Sequence, residues 1–165
     1  MALLAFQMMF VFCMCYAVVS DFRELLIPNW IVVTLVAAFP PFAVCYLEPM
    51  TAFWHVLIAL AVLALTVAFF AVNWIGGGDV KLMTGVALWA GPQHFVNFLL
   101  AMSVLGSLLA IVLIALRTYG VLATPWLPNN SLVRRLEALA KEGQCPYGVA
   151  IGAAALAAVP LTFQQ

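Results

Sequence analysis

The chain has 165 residues, of which 67% are hydrophobic and 7% charged, and its six basic and six acidic residues cancel. Soluble domains are about half apolar and one quarter charged, so the composition excludes an ordinary soluble protein, and the neutral balance does not point to nucleic-acid binding. It predicts an all-α integral membrane protein, a single domain over 1–165, because lipid offers no partner for the open backbone groups of any other unclosed structure.

In chain order, six apolar segments stand between polar or Gly/Pro breaks. They run from Leu3 to Ser20, Trp30 to Leu47, Phe53 to Trp74, Val80 to Ala90, Phe95 to Leu116 and Tyr147 to Thr162. The expected fold is therefore a bundle of about six transmembrane helices. The fourth segment is short for a full crossing, which implies tilt, borrowed loop residues or partial entry. No Lys or Arg precedes the first segment, so it reads as a retained helix rather than a signal peptide.

Between the fifth and sixth segments, "TPWLPNN" from Thr124 to Asn130 is a Pro-rich linker. The following "SLVRRLEALAKEG" places Leu132, Val133, Leu136, Leu139 and Ala140 on one helical face. This predicts a short cytoplasmic interfacial helix, with Arg134 and Arg135 toward lipid headgroups.

All six basic residues, Arg23, Lys81, Arg117, Arg134, Arg135 and Lys141, fall in the first, third and fifth breaks. The positive-inside rule puts those breaks in the cytoplasm and both termini outside. Trp30, Trp54, Trp74 and Trp89 lie near segment ends, as an aromatic belt would, and His55 and His94 fall near the outer side. The four cysteines form no CxxC pair and no zinc-ligand spacing, and read as buried small hydrophobes without a disulfide.

The chain contains two aspartates, Asp21 and Asp79, each at the cytoplasmic end of an apolar segment. The hairpin made by segments two and three returns the chain to the side it left, so the carboxyl groups are able to meet. Two such groups a few ångströms apart hold one proton between them, one member serving as base toward water and the other as acid toward a carbonyl. Partial desolvation at the membrane boundary would bring the pair's working range toward cytoplasmic pH.

Gly76, Gly77 and Gly78 precede Asp79. Without Cβ atoms they allow positive φ and close approach of an extended substrate backbone. A plainer account makes them a tight turn, with Asp79 capping the next helix. Asp21 taken alone is a solvated juxtamembrane charge, and Pro28 and Asn29 suit a helix start.

Asp21 with Ile27, Pro28 and Asn29, then Gly76, Gly78, Asp79, Lys81 and Leu82, and finally "PYGVAIG" from Pro146 to Gly152, resemble the three signature blocks of the type IV prepilin peptidases. These are the bacterial branch of the GxGD intramembrane aspartic proteases. The resemblance implies a peptidase that removes the leaders of prepilins and pseudopilins at the cytoplasmic face of the inner membrane. It implies Asp21 and Asp79 as the catalytic pair, with no metal or other cofactor.

By the same resemblance Lys81 biases the pair, binds substrate or anchors the loop, while Pro146 and Tyr147 shape the mouth of the site. Longer members carry an N-terminal region with paired CxxC motifs and N-methylate the new pilin terminus. This chain begins directly in a membrane segment and resembles the short peptidases of tight-adherence (Flp) pili. Two other classes fit the same residues: a small transporter or proton-conducting subunit that relays protons through the aspartates, and a non-catalytic assembly subunit in which they cap helices.

Overall fold

A computed structural model describes residues 1–123 and 131–159, which form six helices and no strand. They are α1 (Ala2–Glu24), α2 (Asn29–Tyr46), α3 (Pro49–Ala71), α4 (Gly77–Ala123), α5 (Ser131–Glu142) and α6 (Tyr147–Ala158). Of these, α1 to α4 are long and apolar enough to cross a membrane. The Pro-rich linker, Thr124 to Asn130, and the end of the sixth apolar segment lie outside the described residues.

The fourth and fifth predicted segments join in α4. Its 47 residues would reach roughly 70 Å as one straight helix, more than twice the hydrocarbon thickness of a bilayer. The helix instead breaks at Gly91, with φ 59° and ψ −175°, and Pro92 follows. That backbone region is essentially closed to residues with a Cβ. The second half returns along the first, since Met83 and Met102, and Asp79 and Ser107, line one groove. What the sequence presented as a polar break from Gly91 to His94 is thus a one-residue interruption.

His55 of α3 secures this break. Its Nδ1 donates to the Leu88 carbonyl at 2.8 Å, its ring stacks on Phe39 at 5.7 Å, and its Nε2 edge lies where a Cβ on Gly91 would be. Leu88 is within the last turn before the break, where carbonyls lose their helical partners. His55 is therefore buried, and not presented at an interface as the sequence suggested.

The core gathers at this same end. Trp89, 1% exposed, donates from Nε1 to the Leu35 carbonyl at 3.0 Å and sits among Phe6, Phe10, Phe39 and Phe42. It belongs to the packed centre and not to an aromatic belt, whereas Trp30, Trp54 and Trp74 are exposed.

Small residues let α6 press against α1 and α4. A Cβ on Gly152 would fall 2.5 Å from Val18 Cγ2 and 3.3 Å from the Met14 carbonyl oxygen, a close backbone approach of the small-xxx-small kind.

In α5, Leu139 and Ala140 are buried with Leu113, against Phe22 and Leu25, and Arg135 Nε donates to the Phe22 carbonyl at 3.0 Å. Leu136, Leu139 and Ala140 of the predicted apolar face thus pack on protein while Leu132 is exposed, and Arg135 turns to the end of α1. Of the four free cysteines only Cys13 is buried, while Cys15 and Cys45 are exposed and Cys145 is half-buried.

Candidate active site

Asp21 sits in the last turn of α1, which runs three residues past it to Glu24. Leu25 then takes the left-handed conformation, φ 53°, and its N–H bonds back to the Asp21 carbonyl at 3.0 Å. The side chain, only 5% exposed, points to the start of α6. There Oδ2 accepts the Val149 N–H at 3.2 Å, and the Gly148 backbone lies against the carboxyl group. No larger residue fits at 148, because a Cβ there would lie 2.8 Å from Asp21 Cγ and 2.9 Å from Ile27 Cδ1.

Asp79 is the third residue of α4, with its carboxyl group turned back toward Gly76, the residue before the helix, where the third residue of a capping box reaches. It also stands within electrostatic reach of Asp21.

The glycines act differently from the sequence expectation. None of Gly76, Gly77 and Gly78 has positive φ, and Gly77 and Gly78 are already helical. Their use is close approach: a Cβ on Gly78 would meet Ile27 at 3.3 Å, and one on Gly77 would meet Phe70 at 3.4 Å. Ile27 is thus wedged between Gly78 and Gly148, and the three sequence blocks meet on one side chain.

Pro28 precedes α2 with φ −62° and ψ 136°, and Asn29 begins it. Lys81 Nζ donates to Asn29 Oδ1 at 2.9 Å, so the ammonium serves a link between α4 and α2 and is not directed at the carboxyl pair. Pro146 is buried as the residue before α6, and Tyr147 is exposed beside it.

A groove of about 900 Å³ runs between α3, the two halves of α4, and α6. Asp79, Tyr147, Trp74 and Ile75 stand at one end of it, and of its lining residues only Asp79 carries charge. The hydroxyls of Thr66, Ser103 and Ser107 donate to carbonyls of their own helices, which leaves the walls apolar in character.

Three features escaped the sequence reading. Ile27 appeared only as a neighbour of Pro28, and the Val149 amide carries no side-chain signal. Cys145, read as an inert hydrophobe, lies close enough to both carboxyl groups to feel them. Burial, then the charges of Asp21 and Asp79, push its thiol up from the usual range. Its place directly before Pro146 was the available clue.

The arrangement is an acid pair at one end of a helical bundle, one member anchored by an amide and the other opening into an apolar groove. No curated protein and no solved structure matches the chain. The model of the type IV leader peptidase family matches residues 8–111, a span that includes Asp21 and Asp79, while the block from Pro146 to Gly152 lies beyond it. With well over half of its length matched, the chain belongs to the type IV leader peptidase family.

Proposed function

We propose that the protein is a membrane aspartic endopeptidase that removes the leaders of type IV prepilins and pseudopilins of the Flp kind at the cytoplasmic face of the bacterial inner membrane. Its chain crosses six times, counting the halves of α4 separately, with the N-terminus outside. Asp21 and Asp79 activate water and protonate the scissile carbonyl, and need no cofactor.

The observation that carries this reading is the convergence of the two carboxyl groups at one end of the bundle, with Asp79 at the head of the groove. An acid pair sharing one proton supplies both base and acid for amide hydrolysis. The groove's apolar walls suit the hydrophobic part of a membrane-borne substrate, and an extended scissile segment would cross the Gly76–Gly78 end. Pro28, Asn29 and Lys81 hold the near side of that end, with Pro146 and Tyr147 opposite. Relay acids of a transporter would step through the bilayer, whereas Asp79 is the only acid lining this groove.

Coexpression with a type IV prepilin tests the reading through leader removal, seen as a gel shift. Asp21→Asn and Asp79→Asn are each expected to abolish it. Processing that survives both substitutions, or a wild type that cleaves nothing and instead dissipates a proton gradient in liposomes, would overturn it.

A further inference from the structure

The two carboxyl groups are held differently. Asp21 Oδ2 accepts the Val149 N–H, from the first turn of α6, at 3.2 Å, a donor shared with the Pro146 carbonyl at 3.2 Å, and the Gly148 backbone lies against the same carboxyl group. Asp79 lies against Gly76, just before its own helix, and faces the groove. Backbone N–H groups only donate, so a carboxyl group that receives one is favoured in its ionised form.

We infer that the first turn of α6 holds Asp21 as the ionised member of the pair, so that Asp21 is the base and Asp79 keeps the shared proton; the Val149 amide and Gly148 are the positioning groups. This assignment rests on the leader-peptidase reading and adds to it which acid does what. Water gives a proton to Asp21 as its oxygen bonds to the scissile carbon, and the carbonyl oxygen takes the proton of Asp79. The resulting gem-diol returns one hydroxyl proton to Asp79 as the C–N bond breaks, and the leaving nitrogen takes the proton held by Asp21. Both acids end as they began, with one water consumed.

Gly148 makes the arrangement possible. Any side chain at 148 would occupy the space of the Asp21 carboxyl group and of Ile27, and would hold the α6 amide away. Gly152, one turn on, has Val18 and Met14 of α1 as its nearest neighbours and serves packing.

Among the other ionisable groups at this end, Arg117 of α4 lines a pocket with Cys145 and Tyr147. Asp79 faces Asp21 from α4, and Cys145 faces both from the turn before α6. Tyr147 shares the groove with Asp79. Lys81 is bonded to Asn29 and Arg135 to the Phe22 carbonyl, while Arg23 and Glu24 on α1 itself are exposed.

The test uses the full chain in proteoliposomes with a purified type IV prepilin, and follows kcat/KM against pH. The Val149 amide is replaced by an ester, through an α-hydroxy acid incorporated at that position, which deletes the N–H and keeps the shape. Loss of a hydrogen bond to a charged group is expected to move the ascending, acid-side limb to higher pH by roughly one unit, with the descending limb unmoved and KM within about threefold.

Gly148→Ala is expected to lower kcat by at least about tenfold with KM preserved. Gly152→Ala is expected to lower the unfolding midpoint without moving either limb. If the ester moves the descending limb instead, Asp79 is the ionised member and the assignment fails; it fails equally if both limbs stay in place. Cleavage that persists in Asp21→Asn and Asp79→Asn would remove the peptidase reading itself, which separates the two failures.

Discussion

Lys81 Nζ donates to Asn29 Oδ1 at 2.9 Å, tying the second turn of α4 to the first residue of α2. Both groups are exposed, so the link is worth about 0.5 kcal/mol and no more than about 1. Its effect is positional, because Ile27 lies just before Asn29 and packs on Gly78, just before Asp79. Lys81→Met and Asn29→Ala are each expected to lower prepilin cleavage by roughly threefold, and the double variant by no more than either single one. A double-mutant cycle on kcat/KM checks this, and additive losses would mean that the two side chains act separately.

Cys145 reports on the carboxyl pair without any need for activity. Its thiol is pushed up by burial first and then by the charges of Asp21 and Asp79. Less of it is thiolate near neutrality, and thiolate is the form that reacts. In a variant carrying Cys13→Ala, Cys15→Ala and Cys45→Ala, maleimide is expected to label Cys145 more slowly than a free thiol at pH 7.5. Adding Asp21→Asn removes the negative charge of the pair and is expected to speed labelling part of the way back, since burial remains, whereas Asp79→Asn, which removes the proton-bearing member, is expected to change the rate less. Rates unchanged by both substitutions would place the thiol beyond the reach of the pair.

Gly91→Ala combines two penalties. The alanine would have to hold φ near 59° with ψ near −175°, and its Cβ would overlap the His55 ring. A loss of roughly 3 kcal/mol is expected in reversible denaturation in detergent. Adding His55→Ala relieves the overlap but not the backbone, so the double variant should recover only part of what Gly91→Ala loses, measured against His55→Ala alone. Complete recovery would assign the whole cost to the ring.

The long apolar helices and the nearness of the two aspartates were legible because each rests on a strong local signal. Runs of apolar residues set the helices, and with only two aspartates in the chain the pair had no competitors. The roles of particular residues were less legible. Gly76 to Gly78 looked like a loop because three glycines disfavour a helix, yet the turn forms because Phe70 and Ile27 occupy the space their side chains would take. Trp89 and His55 stand near segment ends in the sequence, and only the fold shows that the break at Gly91 turns those ends inward to a ring cluster. Amides leave no trace in a sequence, so the contact of the Val149 amide with Asp21 could not be read there.

The break at Gly91 also has a lever's consequence. From Pro92 to Ser107 the second half of α4 rises about 22 Å, so a tilt of about 5° about the break displaces Ser107 by roughly 2 Å. Ser107 lines the groove with Asp79. The width of the channel beside that carboxyl group is therefore governed from the opposite end of the bundle, where His55 acts as the fulcrum's clamp.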